Sequence, residues 1–141
     1  MPFSPLLEDN LEPMIAQRIS SLAEVARSAA QEREWTFPLR DFLDGFQAEP
    51  ALEKLAVAPG KISPLLQDNG LADAYLAAVC DHLCRKHHFP RPAWTDEPGR
   101  ILKTPHFAAK THALRMVLLQ ESPPAFRERN IFVSANALSR C

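Results

Sequence analysis

An all-α domain is the fold class this sequence predicts, and three observations predict it. Apolar residues recur at steps of three and four over two long stretches, Leu11 to Ala29 and Leu71 to His87. Glycine is scarce, at 4, and proline abundant, at 13, which implies short elements with stiff, defined joints. Much of that proline lies beyond Phe89, so the last third should be irregular. The expected architecture is a single domain of about six helices. Residues 1–36 form an N-terminal amphipathic helix or arm, and residues 37–141 form the helical domain.

A chain of 141 residues fits one domain, with or without such an arm. Hydrophobic content of 46% and charged content of 23% are those of a globular protein, which excludes global disorder. No apolar run approaches the ~20 residues of a membrane helix, so no membrane association is expected. The start, Met1-Pro2-Phe3-Ser4-Pro5, lacks the pattern of a secretory signal, and a cytoplasmic location is the expectation. Three cysteines, Cys80, Cys84 and Cys141, are odd in number and badly spaced for a disulfide framework; they read as reduced thiols.

The net charge of -1 hides an asymmetry. Through Cys80 there are six Lys/Arg against twelve Asp/Glu, and from Asp81 onward ten against five. The halves can attract each other within or between molecules, or the basic half can meet an acidic partner or a phosphate backbone.

Taken in order, Leu11, Ile15, Ile19, Leu22, Val25, Ala26 and Ala29 predict a helix over about 12–33. Its stripe either faces the core or serves as an arm for a homodimer or a partner. Trp35-Thr36-Phe37-Pro38 breaks the pattern, with Thr36 a candidate cap for a helix carrying Leu39, Phe42, Leu43 and Phe46. Asp41 and Asp44 on it read as a solvated face. Pro50 opens a short helix with Leu52, Leu55 and Ala56; Ser63-Pro64-Leu65-Leu66 is a further turn, and Asp68-Asn69-Gly70 a turn and helix start. Leu71 to about His88 carries the broad apolar stripe of a central core helix. Phe89 to Trp94 should be extended. A short helix is expected through Ile101 and Leu102, capped by Thr95 or Asp96. Another starts at Thr104-Pro105 and carries Phe107, Leu114, Val117 and Leu118 on one face. Ser122 caps a last piece, Pro123 to Arg129, ended by Asn130; Ile131-Phe132-Val133 is either extended or a continuation, and Ser134 to Ser139 can add a terminal turn.

Chemistry is thin. Cys80, Cys84 and His87 share one arc of the central helix, a soft donor set suited to zinc or copper(I), but no second ligand-bearing element accompanies them. Buried core thiols and a histidine at a helix C-terminus account for the same pattern. Neither a GxSxG nor an HExxH motif nor a P-loop is present, so no enzyme activity, catalytic residue or cofactor is expected. His106, Lys110 and Arg115 can line a small anion site or form a solvated face. Arg127 and Arg129 lie between Phe126 and Ile131-Phe132-Val133. Arginines so placed either grip an anionic group or hold the C-terminal segment against acidic residues of the first half.

Pro92-Ala93-Trp94, Pro98-Gly99-Arg100-Ile101-Leu102 and Glu121-Ser122-Pro123-Pro124-Ala125-Phe126-Arg127-Glu128-Arg129-Asn130-Ile131-Phe132-Val133 together resemble a known domain. It is the C-terminal domain of bacterial XRE-type helix-turn-helix regulators and antitoxin-like proteins, often encoded beside a nucleotidyltransferase-like protein. The resemblance covers about 39–141. It implies a non-catalytic module that binds and neutralises a toxin partner by occluding its active site. Only about 38 residues precede the shared region, so the resemblance implies the partner-binding half without the DNA-reading domain. Candidate contacts are Trp94, Phe126, Arg127, Arg129, Asn130, Ile131, Phe132 and Val133, types that dominate interface energies. The alternatives are a regulator that binds DNA through the basic C-terminal half, and a metal-binding protein using Cys80, Cys84 and His87.

Overall fold

The computed structural model describes residues 19–135, 137 and 138. These residues are mostly helical. The elements are α1 (Leu22–Glu32), α2 (Thr36–Ala48), α3 (Glu53–Ala56), α4 (Ser63–Leu66), α5 (Leu71–His87), a 3-10 helix (Ala93–Asp96), β1 (His106–Phe107), α6 (His112–Glu121), α7 (Pro124–Arg127) and β2 (Ile131–Phe132).

Helix α1 starts later than its periodicity suggested. Ser21 caps it, accepting the Glu24 N–H at 3.2 Å, while the Glu24 carboxylate accepts the Ser20 N–H at 2.8 Å. This is the reciprocal logic of a capping box, and it sets the boundary at Leu22. The part of the expected helix before Ile19 lies outside the described residues. Leu22, Val25, Ala26 and Ala29 are buried in the same core as α2 and α5. The described part of the expected arm thus packs as part of the domain. Thr36 is the first residue of α2 and not its cap. Glu34 does the capping, its carboxylate accepting the N–H of Thr36 at 2.7 Å and of Phe37 at 3.0 Å.

Helix α5 is the central element. Ala72, Ala74, Leu76, Ala77, Ala78, Val79, Cys80, Leu83 and Cys84 are all buried, which leaves almost no solvated face. The small alanines let the 3-10 helix and α7 approach closely. Glycine scarcity shows at the joints. Arg33, Gln67, His88 and Asn130 adopt left-handed φ of 54 to 64° at helix ends, where glycine is the usual choice.

The last third differs most from expectation. No helix spans 98–105; the chain turns instead at Gly99, with φ 89°, and runs as irregular backbone. His106–Phe107 form a short parallel strand pair with Ile131–Phe132, in register His106 to Ile131 and Phe107 to Phe132. Helix α6 consequently begins at His112, capped by Thr111, whose hydroxyl accepts the Leu114 N–H at 3.2 Å. Pro123, not Ser122, is the residue before α7. Ser122 ties two elements together: its Oγ accepts the Val133 N–H at 2.9 Å and donates toward the carbonyls of Leu118 and Val133, at 2.6 and 3.0 Å. Among the described residues no helix is long and apolar enough to cross a membrane.

Candidate partner-binding surface

The residues that made the last third distinctive are mostly interior. Trp94, Phe126, Arg129, Ile131, Phe132 and Val133 are buried, Asn130 is half-buried, and of the eight candidate contacts only Arg127 is exposed. A buried side chain presents nothing to a partner while the domain stays folded. What the structure gives these residues is a role in holding irregular backbone together.

Trp94 Nε1–H donates to the Leu55 carbonyl at 2.9 Å, and the Arg100 guanidinium lies 4.9 Å from the Trp94 ring centroid. Arg100 is fully buried. Its Nη2 donates to the Pro59 carbonyl at 2.7 Å and its Nη1 to the Asp73 carbonyl at 3.1 Å, with Glu97 Oε1 at 3.2 Å balancing the charge. The Pro59 carbonyl lies in a loop with no helix ladder to satisfy it, and a guanidinium with five donors in a fixed fork can serve it and the Asp73 carbonyl of α5 at once.

Arg129 works the same way around Asp81, which is 1% exposed. Arg129 Nη1 donates to Asp81 Oδ2 at 2.9 Å and to the Ala125 carbonyl at 3.0 Å; Nη2 donates to the Thr95 carbonyl at 3.3 Å. Its Nε finds no acceptor among the described residues. Arg85 reaches Asp81 Oδ1 at 2.9 Å from the next turn of α5, and Arg91 lies 3.6 Å from Oδ2. Burial alone would push the Asp81 carboxyl up. Hydrogen bonds from Arg85 and Arg129, with their charges, instead hold it below the ordinary carboxylate value. Of the sequence alternatives for Arg127 and Arg129, holding the C-terminal segment describes Arg129, although its acidic anchor, Asp81, is in the basic half.

The metal-like trio points elsewhere. Cys80 Sγ faces the Leu55 carbonyl at 3.9 Å, and Cys84 Sγ faces the Pro90 carbonyl at 3.8 Å. The His87 ring sits between Phe46 and Phe89, 5.4 and 5.8 Å from their centroids. Burial pushes both thiols up, out of the thiolate range. Among the described residues no group of three or more His, Cys, Asp or Glu is arranged to hold a metal ion. The N-terminus of α5 is closed to anions as well. Asp68 Oδ2 takes the Ala72 N–H at 3.0 Å and Ser63 Oγ takes the Asp73 N–H at 3.1 Å. The expected spacing of His106 and Lys110 on one helix does not exist, because His106 is in β1; Arg115 lies over Phe107, 5.5 Å from its centroid.

Helix α6 is the surface that sequence reasoning missed. Of its ten residues only Leu118 is buried. Leu114 is 55% exposed, Met116 47%, Val117 49% and Leu119 39%, and nearby Ile101 is 58% exposed. At 100° per residue, Leu114 and Val117 flank Leu118 on one side, and Met116 and Leu119 lie on the other. A contiguous exposed apolar patch marks a contact site. The charges of α6 are mixed: the N-terminal side is basic, and its last residue, Glu121, is acidic and exposed. From Pro98 to Gln120 the chain has no acidic residue, and Lys103, Lys110 and Arg115 are exposed there.

No family model, curated protein or solved structure matches this chain.

Proposed function

We propose that the chain is a non-catalytic protein-binding module that neutralises a partner protein in the manner of an antitoxin, with α6 as its docking face. The observation that carries this reading is α6 itself, apolar on several flanks with only Leu118 buried. Fully burying one Leu or Val side chain is worth about 1.5–3 kcal/mol, so a partner covering Leu114 and Val117 gains substantially. The resemblance of the last third to antitoxin-like domains supplies the partner class, a nucleotidyltransferase-like toxin. Enzymes that move nucleotidyl groups hold Mg²⁺ on carboxylates, which makes their clefts acidic. The Lys103, Lys110 and Arg115 rim suits such a cleft, and an apolar helix set into it occludes the site.

Binding of DNA by the same basic stretch is the second reading. Against it stand the exposed leucines and valine between the cations, which a phosphate backbone would leave uncovered.

The test is co-expression with the protein encoded next door, followed by size-exclusion chromatography and intact-complex mass. The wild-type chain should co-elute with it. A Leu114→Gln/Val117→Gln variant, folded by circular dichroism, should elute alone. A wild-type chain that elutes alone refutes the reading, and a double variant that still co-elutes removes α6 from it. DNA binding with a steep salt dependence would favour the second reading.

A further inference from the structure

The seven ion pairs among the described residues do not cross the charge divide. Lys54–Glu49 lies within the acidic half, and the other six lie within 81–141. The described residues thus present an acidic surface and a basic one. The basic one is the N-terminal side of α6 with the stretch before it, where Lys103, Lys110 and Arg115 are exposed; Glu121 ends the helix. Its acidic counterpart is an open groove of about 460 Å³ between α1 and α2. Ile19, Phe37 and Pro38 give it an apolar lining, and Glu32, Glu34 and Asp41 rim it with carboxylates. Phe37 is 72% exposed, the most exposed large apolar side chain of the described residues.

We propose that α6 of one copy docks into the α1–α2 groove of a second copy, a head-to-tail contact. Leu114 and Val117 meet Phe37 and Ile19, and Lys110 and Arg115 meet Glu32 and Glu34. Each surface has what the other lacks, an apolar centre with a rim of opposite charge. Opposite charge in this arrangement sets register and speeds encounter, and the apolar centre supplies the affinity. A membrane surface is the poorer occupant of α6. A helix lying in a bilayer interface has one apolar and one polar face, whereas α6 is apolar on both flanks. The contact is heterologous, so it grows with concentration unless the rotation closes a ring. One consequence rests on the proposed function: self-contact covers the partner-binding face until a partner displaces it. The contact itself does not depend on that reading.

The experiment needs no partner. Light scattering or sedimentation of the full chain at low salt, over a wide concentration range, should show an average mass that climbs above one chain. At about 0.5 M salt the association should weaken on the order of tenfold, because screening then acts within a few ångströms. Phe37→Glu and Val117→Glu change exposed positions on opposite sides of the contact, and each variant alone should stay monomeric. Mixed, they should form a one-to-one dimer that grows no further, since one intact groove and one intact α6 remain. Phe37→Ser and Val117→Ser serve the same purpose if the charged versions fail to fold. A wild type that stays one chain at every concentration overturns the proposal. So does a mixture that gives no dimer, and so does a Phe37→Glu variant that still associates alone, which would mean α6 pairs with itself. Binding to anionic vesicles without self-association also overturns it. Partner binding is measured separately on dilute chain, so either reading can fail alone.

Discussion

Arg129 and Asp81 meet at 2.9 Å inside the domain, 48 positions apart in sequence. The contact joins the central helix α5 to the turn after α7, and both side chains are almost fully buried. Breaking a buried pair by removing one partner leaves the other charge uncompensated, typically a loss of 3–5 kcal/mol.

Asp81→Asn should therefore destabilise the domain by about 3 kcal/mol at pH 7, the low end because asparagine can still accept one hydrogen bond. The pH dependence follows from the sign of the shift. Asp81 titrates below its unfolded value in the folded chain, so its contribution is complete above about pH 4 and is lost as pH falls through the lower folded value. Urea denaturation of both proteins from pH 7 downward should show two curves that stay parallel and then converge in acid. Curves that remain parallel to the lowest pH would deny the ion pair this role.

The arginine–aromatic tail separates into two kinds of residue, and substitution should separate them too. Phe132 is 8% exposed and stacks on Phe107 with centroids 4.8 Å apart. Phe132→Ala should cost about 3 kcal/mol, because a buried aromatic is removed and the short β1–β2 pairing loses its side-chain support. Arg127 is exposed, and Arg127→Ala should change stability by no more than about 0.5 kcal/mol. Thermal melts decide it, and comparable losses from both would place Arg127 in the core scaffold.

Periodicity made the core legible where helices are long. The stripe of α5 and the run Leu39, Phe42, Leu43 and Phe46 were readable because both faces of the pattern repeat. Composition could not show which residues of the last third are inside. Arg100 and Arg129 are interior because backbone carbonyls and the carboxylates of Glu97 and Asp81 surround them, and four of those partners, Pro59, Asp73, Thr95 and Asp81, come from 27 to 48 residues away. Types common at interfaces are equally the types that fill an irregular core, so Trp94 and Phe126 looked like contacts. The α6 face was hidden for the opposite reason. Leu114, Val117 and Leu118 read as one face of a helix, and only their coordinates show that nothing in the described chain covers Leu114 and Val117. Pairing of His106–Phe107 with Ile131–Phe132 was likewise invisible, since two-residue strands carry no alternation to detect.

The scarcity of glycine leaves a correctable strain at a helix end. Gln67 follows α4 with φ 54° and ψ 46°, and its N–H donates to the Ser63 carbonyl at 2.7 Å. A residue with a Cβ in this left-handed geometry costs about 1–2 kcal/mol, which glycine avoids, although glycine also loses more freedom on folding. The balance predicts that Gln67→Gly stabilises the domain by about 0.5–1 kcal/mol. Gly99 is the mirror test. Its φ is 89°, and a Cβ there would sit 3.4 Å from Lys61 Nζ, a flexible end that can move aside. Backbone strain then dominates, and Gly99→Ala should destabilise by about 1–2 kcal/mol. Chemical denaturation of the two variants beside wild type checks both signs. If Gln67→Gly lowers the midpoint, the exposed Gln67 side chain contributes more than the strain it imposes, and the geometric argument fails at this joint.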